Sequence, residues 1–173
     1  VERPAEFCQN NPQLATSCYT KGDQSDASSH VVVRFPYNRR GDKSPPEPLA
    51  SAPEVGSTWG LAYRRSSDSL FAASYMKRHS GFKPGADPGA IYLIRGASTA
   101  TPTVASSPFA DLPAGANAHD QADYQVDASA YDAVGKVSLG GMALSEDETT
   151  LYVVDLADRQ LYSIAVGAVP APP

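Results

Sequence analysis

The feature that most constrains this chain is an internal repeat. Residues 137–166 read VSLGGMALSEDETTLYVVDLADRQLYSIAV, and residues 59–74 read WGLAYRRSSDSLFAAS. Gly60-Leu61-Ala62 matches Gly141-Met142-Ala143, and the next strand opens on a leucine at the same distance from that glycine in both copies, Leu70 and Leu151. Leu70-Phe71-Ala72-Ala73-Ser74 then aligns with Leu151-Tyr152-Val153-Val154-Asp155, and Ala90-Ile91-Tyr92-Leu93-Ile94 with Gln160-Leu161-Tyr162-Ser163-Ile164. In each copy short apolar runs alternate with polar turns (64–69 in the first, 145–149 and 155–159 in the second), which is the pattern of an antiparallel meander. One meander cannot bury its own apolar face, so repeats of this kind stack or close radially. The expected fold is all-β: antiparallel β-meander repeats of a β-propeller, partial or assembled from more than one chain.

The rest of the chain is placed relative to the two copies. Residues 1–30 are polar and without period, and are expected to form an arm rather than a strand. Residues 31–166 hold the repeats, with copies at 57–94 and 137–166, and residues 167–173 are an Ala/Pro tail or linker. Val31-Val32-Val33-Arg34-Phe35 reads as a strand by its β-branched run. It resembles the third strand of the repeat, so a partial blade precedes the first full copy. Residues 39–56, with Pro45, Pro46, Pro48 and Pro53, read as a loop. An edge strand is expected within 101–105, and a short helix within 128–134.

With 173 residues the chain is long enough for one domain with a real core. A net charge of −5 and a pI near 5.1 argue against a nucleic-acid or anionic-membrane footprint, which needs a basic face. No apolar run approaches the length of a membrane span. The polar start Val1-Glu2-Arg3-Pro4 carries no signal peptide, as expected of a mature chain or of a fragment. Cys8 and Cys18 lack the neighbouring ligands of a metal site. They read as a disulfide closing a short loop, worth roughly 2–3 kcal/mol in chain entropy, or else as two free thiols. The disulfide implies an extracellular or cell-surface location.

Chemistry is harder to locate. There is no Gly-x-Ser-x-Gly elbow, no HExxH and no EF-hand spacing, and neither cysteine sits in a catalytic context. The metal candidates are Asp120, Asp123 and Asp127, with Asp132 and His119 alongside, because a hard cation such as Ca²⁺ wants several oxygen ligands. Carboxylates in a polar loop equally cap turns, as Asp155 and Asp158 do beside theirs. The insert 76–89 in the first copy carries Lys77, Arg78, His79 and Lys83, local positive charge in an acidic chain. It is a candidate partner-contact loop for an anion, a glycan or a host or cell-surface ligand; its glycines also satisfy turns. Arg40-Gly41-Asp42 resembles an integrin-recognition tripeptide but also makes a turn. Phe71, Tyr92, Tyr152 and Tyr162 repeat at equivalent places, as packing aromatics do. Trp59 reads as stacked between sheets or as a sugar platform.

Laid out in this way, the chain resembles a family of large secreted bacterial surface proteins with a propeller-like region ahead of SdrD-B-like or other immunoglobulin-like modules. The resemblance rests on CQNNPQLATSCY (8–19), VVVRFPYN (31–38), WGLAYRRSSDSLFAASYMKRHSGF (59–82), GAIYLI (89–94), ANAHDQADYQVD (116–127) and AVGKVSLGGMALSEDETTLYVVDLADRQLY (133–162). It implies secretion, a propeller fold and a place in a cell-surface or matrix assembly, and it carries over no catalytic residue. The expected function is therefore a non-enzymatic extracellular scaffold for adhesion or for matrix or filament assembly. The alternative is a metal-dependent propeller hydrolase or lactonase using Asp and His. Propellers close with about four to eight blades. Two copies and a partial blade fall short, so the expected partners are the rest of a longer polypeptide or further copies of the chain.

Overall fold

The computed structural model describes residues 10–41 and 44–167. Among the described residues the fold is all-β, built from three antiparallel sheets taken in chain order. The first holds β1 (Gln13–Ser17), β2 (His30–Pro36) and β3 (Glu47–Ser51), in that order. The second is the first repeat copy: β4 (Thr58–Arg64), β5 (Ser69–Ser74) and β6 (Ala90–Arg95), with the short β7 (Thr103–Val104) and β8 (Ala110–Asp111) on the far side of β6. The third is the second copy: β9 (Leu139–Leu144), β10 (Thr150–Asp155) and β11 (Gln160–Ala165).

Both repeat meanders form where the sequence places them, and β7 supplies the edge strand expected within 101–105. The helix expected within 128–134 is a single turn, Ala128–Tyr131. The first sheet departs from expectation. The supposed arm contains β1, which pairs with β2 from Gln13↔Pro36 to Ser17↔Val32. Its residues QLATS are mostly exposed, so no apolar period marks it. The proline-rich loop contains β3, which pairs Pro48 with Val33 across an irregular register. Proline survives there because an edge strand tolerates a missing ladder donor. Val31–Phe35 is consequently the middle strand of a complete three-stranded sheet, not the last strand of a partial one.

The core lies in two layers between the sheets. Val31, Val32, Leu49 and Ala50 of the first sheet pack against Leu70, Ala72, Tyr92 and Ile94 of the second. The other face of the second sheet, with Phe71, Ala73, Ile91 and Leu93, packs against Leu139, Leu151 and Val153 of the third. Strand side chains alternate between faces, so β5 serves both layers and all 6 of its residues are buried. Phe71 meets Phe109 edge to face at 4.9 Å. Arg34 ties the first layer: it donates to its cross-strand partner Glu47 at 2.6 Å and to the Ala97 carbonyl beyond β6 at 2.7 Å.

The first strands of the three sheets run beside one another. Ser17 Oγ of β1 lies 3.2 Å from Thr58 Oγ1 of β4. Between β4 and β9 the backbones approach so closely that a Cβ on Gly60 would sit 2.4 Å from the Gly140 carbonyl oxygen. At its repeat partner Gly141 no described residue comes within 4 Å of the same position. The shared Gly-x-Ala therefore serves a close approach in one copy only. At the hairpin ends, Glu148 from the β9–β10 turn accepts the Arg65 and Ser66 N–H groups of the β4–β5 turn, both at 3.0 Å. Gly60→Ala is expected to destabilise by about 2–3 kcal/mol, because the clash is with backbone and cannot be relieved by a rotamer. Gly141→Ala is expected to move the urea midpoint little; equal effects in the two variants would contradict the close approach of β4 and β9.

Candidate functional site

The two long loops that carry most of the charged and polar candidates meet at one side chain, Asp127. The insert 76–89 leaves the second sheet after β5, and the segment 115–132 precedes β9. Asp127 adopts φ 41, ψ 48, a left-handed conformation that Asp tolerates better than most residues. Its carboxylate then turns inward and is fully buried. Oδ2 accepts the His79 N–H at 2.7 Å and the His119 ring at Nδ1 at 2.8 Å, and Oδ1 accepts the Asp120 N–H at 2.9 Å. The carboxylate therefore bridges insert and loop. Arg78 reinforces the joint, donating to the Val126 carbonyl at 2.7 Å and the Asp127 carbonyl at 3.3 Å. His79 Nδ1 lies 3.0 Å from the Tyr124 carbonyl.

His119 is buried with Asp127, edge to face with Phe82 at 5.4 Å and tilted against Tyr124 at 5.3 Å between ring centroids. Its Nε2 is buried and has no hydrogen-bond partner among the described residues. An imidazole oriented by a carboxylate is the supporting half of an acid–base pair, but here aromatic rings pack against it and Asp127 is already engaged by two backbone donors. Burial pushes the Asp127 carboxyl upward in pKa; the hydrogen bonds from His119, His79 and Asp120 outweigh that and hold it below the ordinary carboxylate value.

The candidate metal ligands do not share one centre. Asp120 accepts the Ala122 N–H at 3.1 Å and Asp123 accepts the Gln125 N–H at 2.8 Å, each closing a local turn, while Asp127 joins the loops. Among the described residues no group of three or more His, Cys, Asp or Glu is arranged to hold a metal ion.

The candidate contact residues divide. Lys77, Arg78 and His79 border a shallow depression of about 660 Å³ together with Tyr19, Tyr131, Asp132, Val134 and Lys136, so one carboxylate stands among the basic groups. Arg78 sits 5.5 Å from the centre of the Tyr131 ring, a cation–π contact, and the Tyr19 hydroxyl donates to the Arg78 carbonyl. Lys77 is partly buried there, which lowers its pKa. Lys83 lies elsewhere, donating to the Ser106 carbonyl at 3.2 Å and standing 5.4 Å from the Tyr92 ring centre. Neither charge nor spacing singled out Tyr19, Tyr131 and Lys136 in the sequence; they come from three separate segments that only folding brings together. Cys18 is half-buried, and burial raises its thiol pKa against the opposing charge of Lys77. Its candidate partner Cys8 lies outside the described residues, as does Asp42 of the Arg-Gly-Asp tripeptide. Trp59 is 62% exposed and tilts against Tyr75 at 5.8 Å instead of stacking between sheets. Of the repeated aromatics, Phe71 and Tyr92 are core, whereas Tyr152 is 39% exposed. No helix among the described residues is long and apolar enough to cross a membrane.

No family model matches the chain, and no solved structure matches it significantly. It is similar to three proteins of Dictyostelium discoideum. Colossin-D is 26% identical over 175 residues, covering 93% of this chain and 18% of that protein. Colossin-B is 30% identical over 84 residues, 46% of this chain and 2% of its own length. Colossin-A is 36% identical over 93 residues, 51% of this chain and 1% of its own length. The chain thus spans less than a fifth of each of these relatives.

Asp127→Ala would leave three inward-facing donors without an acceptor and is expected to cost about 3 kcal/mol. The pH dependence has a definite sign. A carboxyl held below its unfolded pKa contributes stability that is fully present above the unfolded value and is lost as pH falls through the folded one. Chemical denaturation between pH 6 and pH 2 should show this loss, and Asp127→Asn should flatten it. An Asp127→Asn variant with the parent's acid profile would remove Asp127 from the explanation.

Proposed function

We propose that the chain is a non-enzymatic structural module of a secreted or cell-surface protein, a stack of blade-like sheets of the propeller kind. Its joined loops would present a basic, tyrosine-rich surface to an anionic glycan. The observation that carries the non-catalytic assignment is the state of Asp127. The one buried carboxylate–imidazole pair among the described residues is engaged in fastening two loops, with the ring enclosed by Phe82 and Tyr124. The propeller assignment is supported by the side-by-side first strands, by the face-to-face stacking of successive meanders, and by the chain order of the sheets. Loops on a rigid β scaffold are where recognition is usually placed. The surface chemistry fits anions: Lys77, Arg78 and Lys136, outnumbering the single carboxylate Asp132, flank two exposed tyrosines in a chain of net charge −5. Adhesion or matrix assembly, as in the bacterial surface proteins the sequence resembles, is the biological role proposed for such a module.

A metal-dependent hydrolase is the competing function. It needs Asp120, Asp123 and Asp127 to converge on a cation, whereas each is hydrogen-bonded within its own turn or between the loops.

Two measurements separate these. A sulfated polysaccharide is expected to bind the chain in low salt and to be released by about 0.5 M salt. The Lys77→Gln/Lys136→Gln pair should weaken binding about tenfold with no change in Tm; parent-like binding by the pair would remove this surface from the function. Millimolar Ca²⁺ is expected to leave Tm unchanged, and a saturable rise of several degrees would favour the metal-dependent function. Intact-mass spectrometry of secreted material tests the Cys8–Cys18 disulfide, expected as the loss of two hydrogens from the reduced chain.

A further inference from the structure

The two repeat copies have the same register but different surroundings. In the second sheet, Leu70 and Ala72 face the first sheet, and Phe71, Ala73 and Ile91 face the third. In the third sheet, Leu151 and Val153 face the second sheet, as their repeat positions require. The positions equivalent to Phe71, Ala73 and Ile91 are Tyr152, Val154 and Leu161. In the second sheet all three are fully buried; in the third they are 39%, 38% and 67% exposed. Val154 and Leu161 are cross-strand partners, so they form one apolar patch beside Tyr152 on a single face.

We propose that this outer face of the third sheet is the docking face for a fourth antiparallel sheet of the same repeat kind, carried by the same polypeptide. This rests on the stacked, propeller-kind arrangement proposed above. The repeat itself names the occupant. The Phe71/Ala73 face of the second sheet is covered by the Leu151/Val153 face of the following meander, and the Tyr152/Val154 face of the third sheet would continue that interface by one step. A cover sheet would present a row like Leu151 and Val153 about 10 Å away. A second copy of this chain offers a poorer match. The outward face of its first sheet has Leu14 and Thr16 on an edge strand, with Val33 only 4% exposed. The lengths of the similar proteins beyond the matched stretch leave room for further sheets.

The test is peptide-resolved maleimide labelling of single variants, in the natural polypeptide purified from its source and in the 173-residue chain at low concentration. Leu161→Cys is expected to label at least tenfold more slowly in the natural polypeptide than in the 173-residue chain. Equal rates would overturn the proposal, as would a natural polypeptide with the mass of the 173 residues alone. Slow labelling in the 173-residue chain itself, growing with concentration alongside dimers in light scattering, would assign the face to a second copy and also overturn it. Ala73→Cys is the control, since it lies between the second and third sheets and is expected to stay unreactive in both. Reactive Ala73→Cys would discard the stacked arrangement altogether, whereas Leu161→Cys as reactive in the natural polypeptide as in the 173-residue chain, with Ala73→Cys silent, discards only the fourth sheet.

Discussion

The structure depends on a sheet buried on both faces. Strand β5 sends Leu70 and Ala72 into one layer and Phe71 and Ala73 into the other, so neither flanking sheet can be removed without exposing the centre. A fully buried large apolar side chain contributes about 1.5–3 kcal/mol, and the alanines let the neighbouring sheets approach where larger side chains would hold them apart. Antiparallel sheets more often keep one wet face. A doubly buried one requires a partner on each side, and the chain supplies both from the segments immediately before and after it.

Hydrophobic layering sets the stacking but not the lateral register of the sheets. That register is fixed by polar groups at opposite ends of β5. At the hairpin end Glu148 holds two backbone N–H groups of the neighbouring turn; at the loop end Asp127 holds two backbone N–H groups and a histidine. Asp127 sits where inward-facing donors would otherwise lack an acceptor, whereas Glu148 bonds exposed turn donors; each carboxyl is held below its ordinary pKa by its hydrogen bonds, which outweigh the opposing desolvation. The clamps share a dependence on ionised carboxylates, so the joint between the two loops weakens in acid along with the fold beneath it.

The sequence alone determined the all-β class, the two meanders and the insertion between β5 and β6, because strand period and turn chemistry are local and the copies corroborate each other. It did not reveal β1 or β3: β1 lies mostly exposed at an edge and lacks an apolar period, and the prolines around β3 look like breakers until edge pairing excuses them. The candidate site was half legible. Lys77, Arg78 and His79 stood out as charge in one loop, and Asp127 stood out as one carboxylate among several. Only the tertiary structure decided that Asp127 joins two loops, that Lys83 belongs elsewhere, and that Tyr19, Tyr131 and Lys136 complete the surface. It also decided that equivalent repeat positions end differently, Phe71 buried and Tyr152 exposed. The physical reason is the same throughout: a repeat encodes which way a side chain points, while burial depends on what the rest of the chain places in front of it.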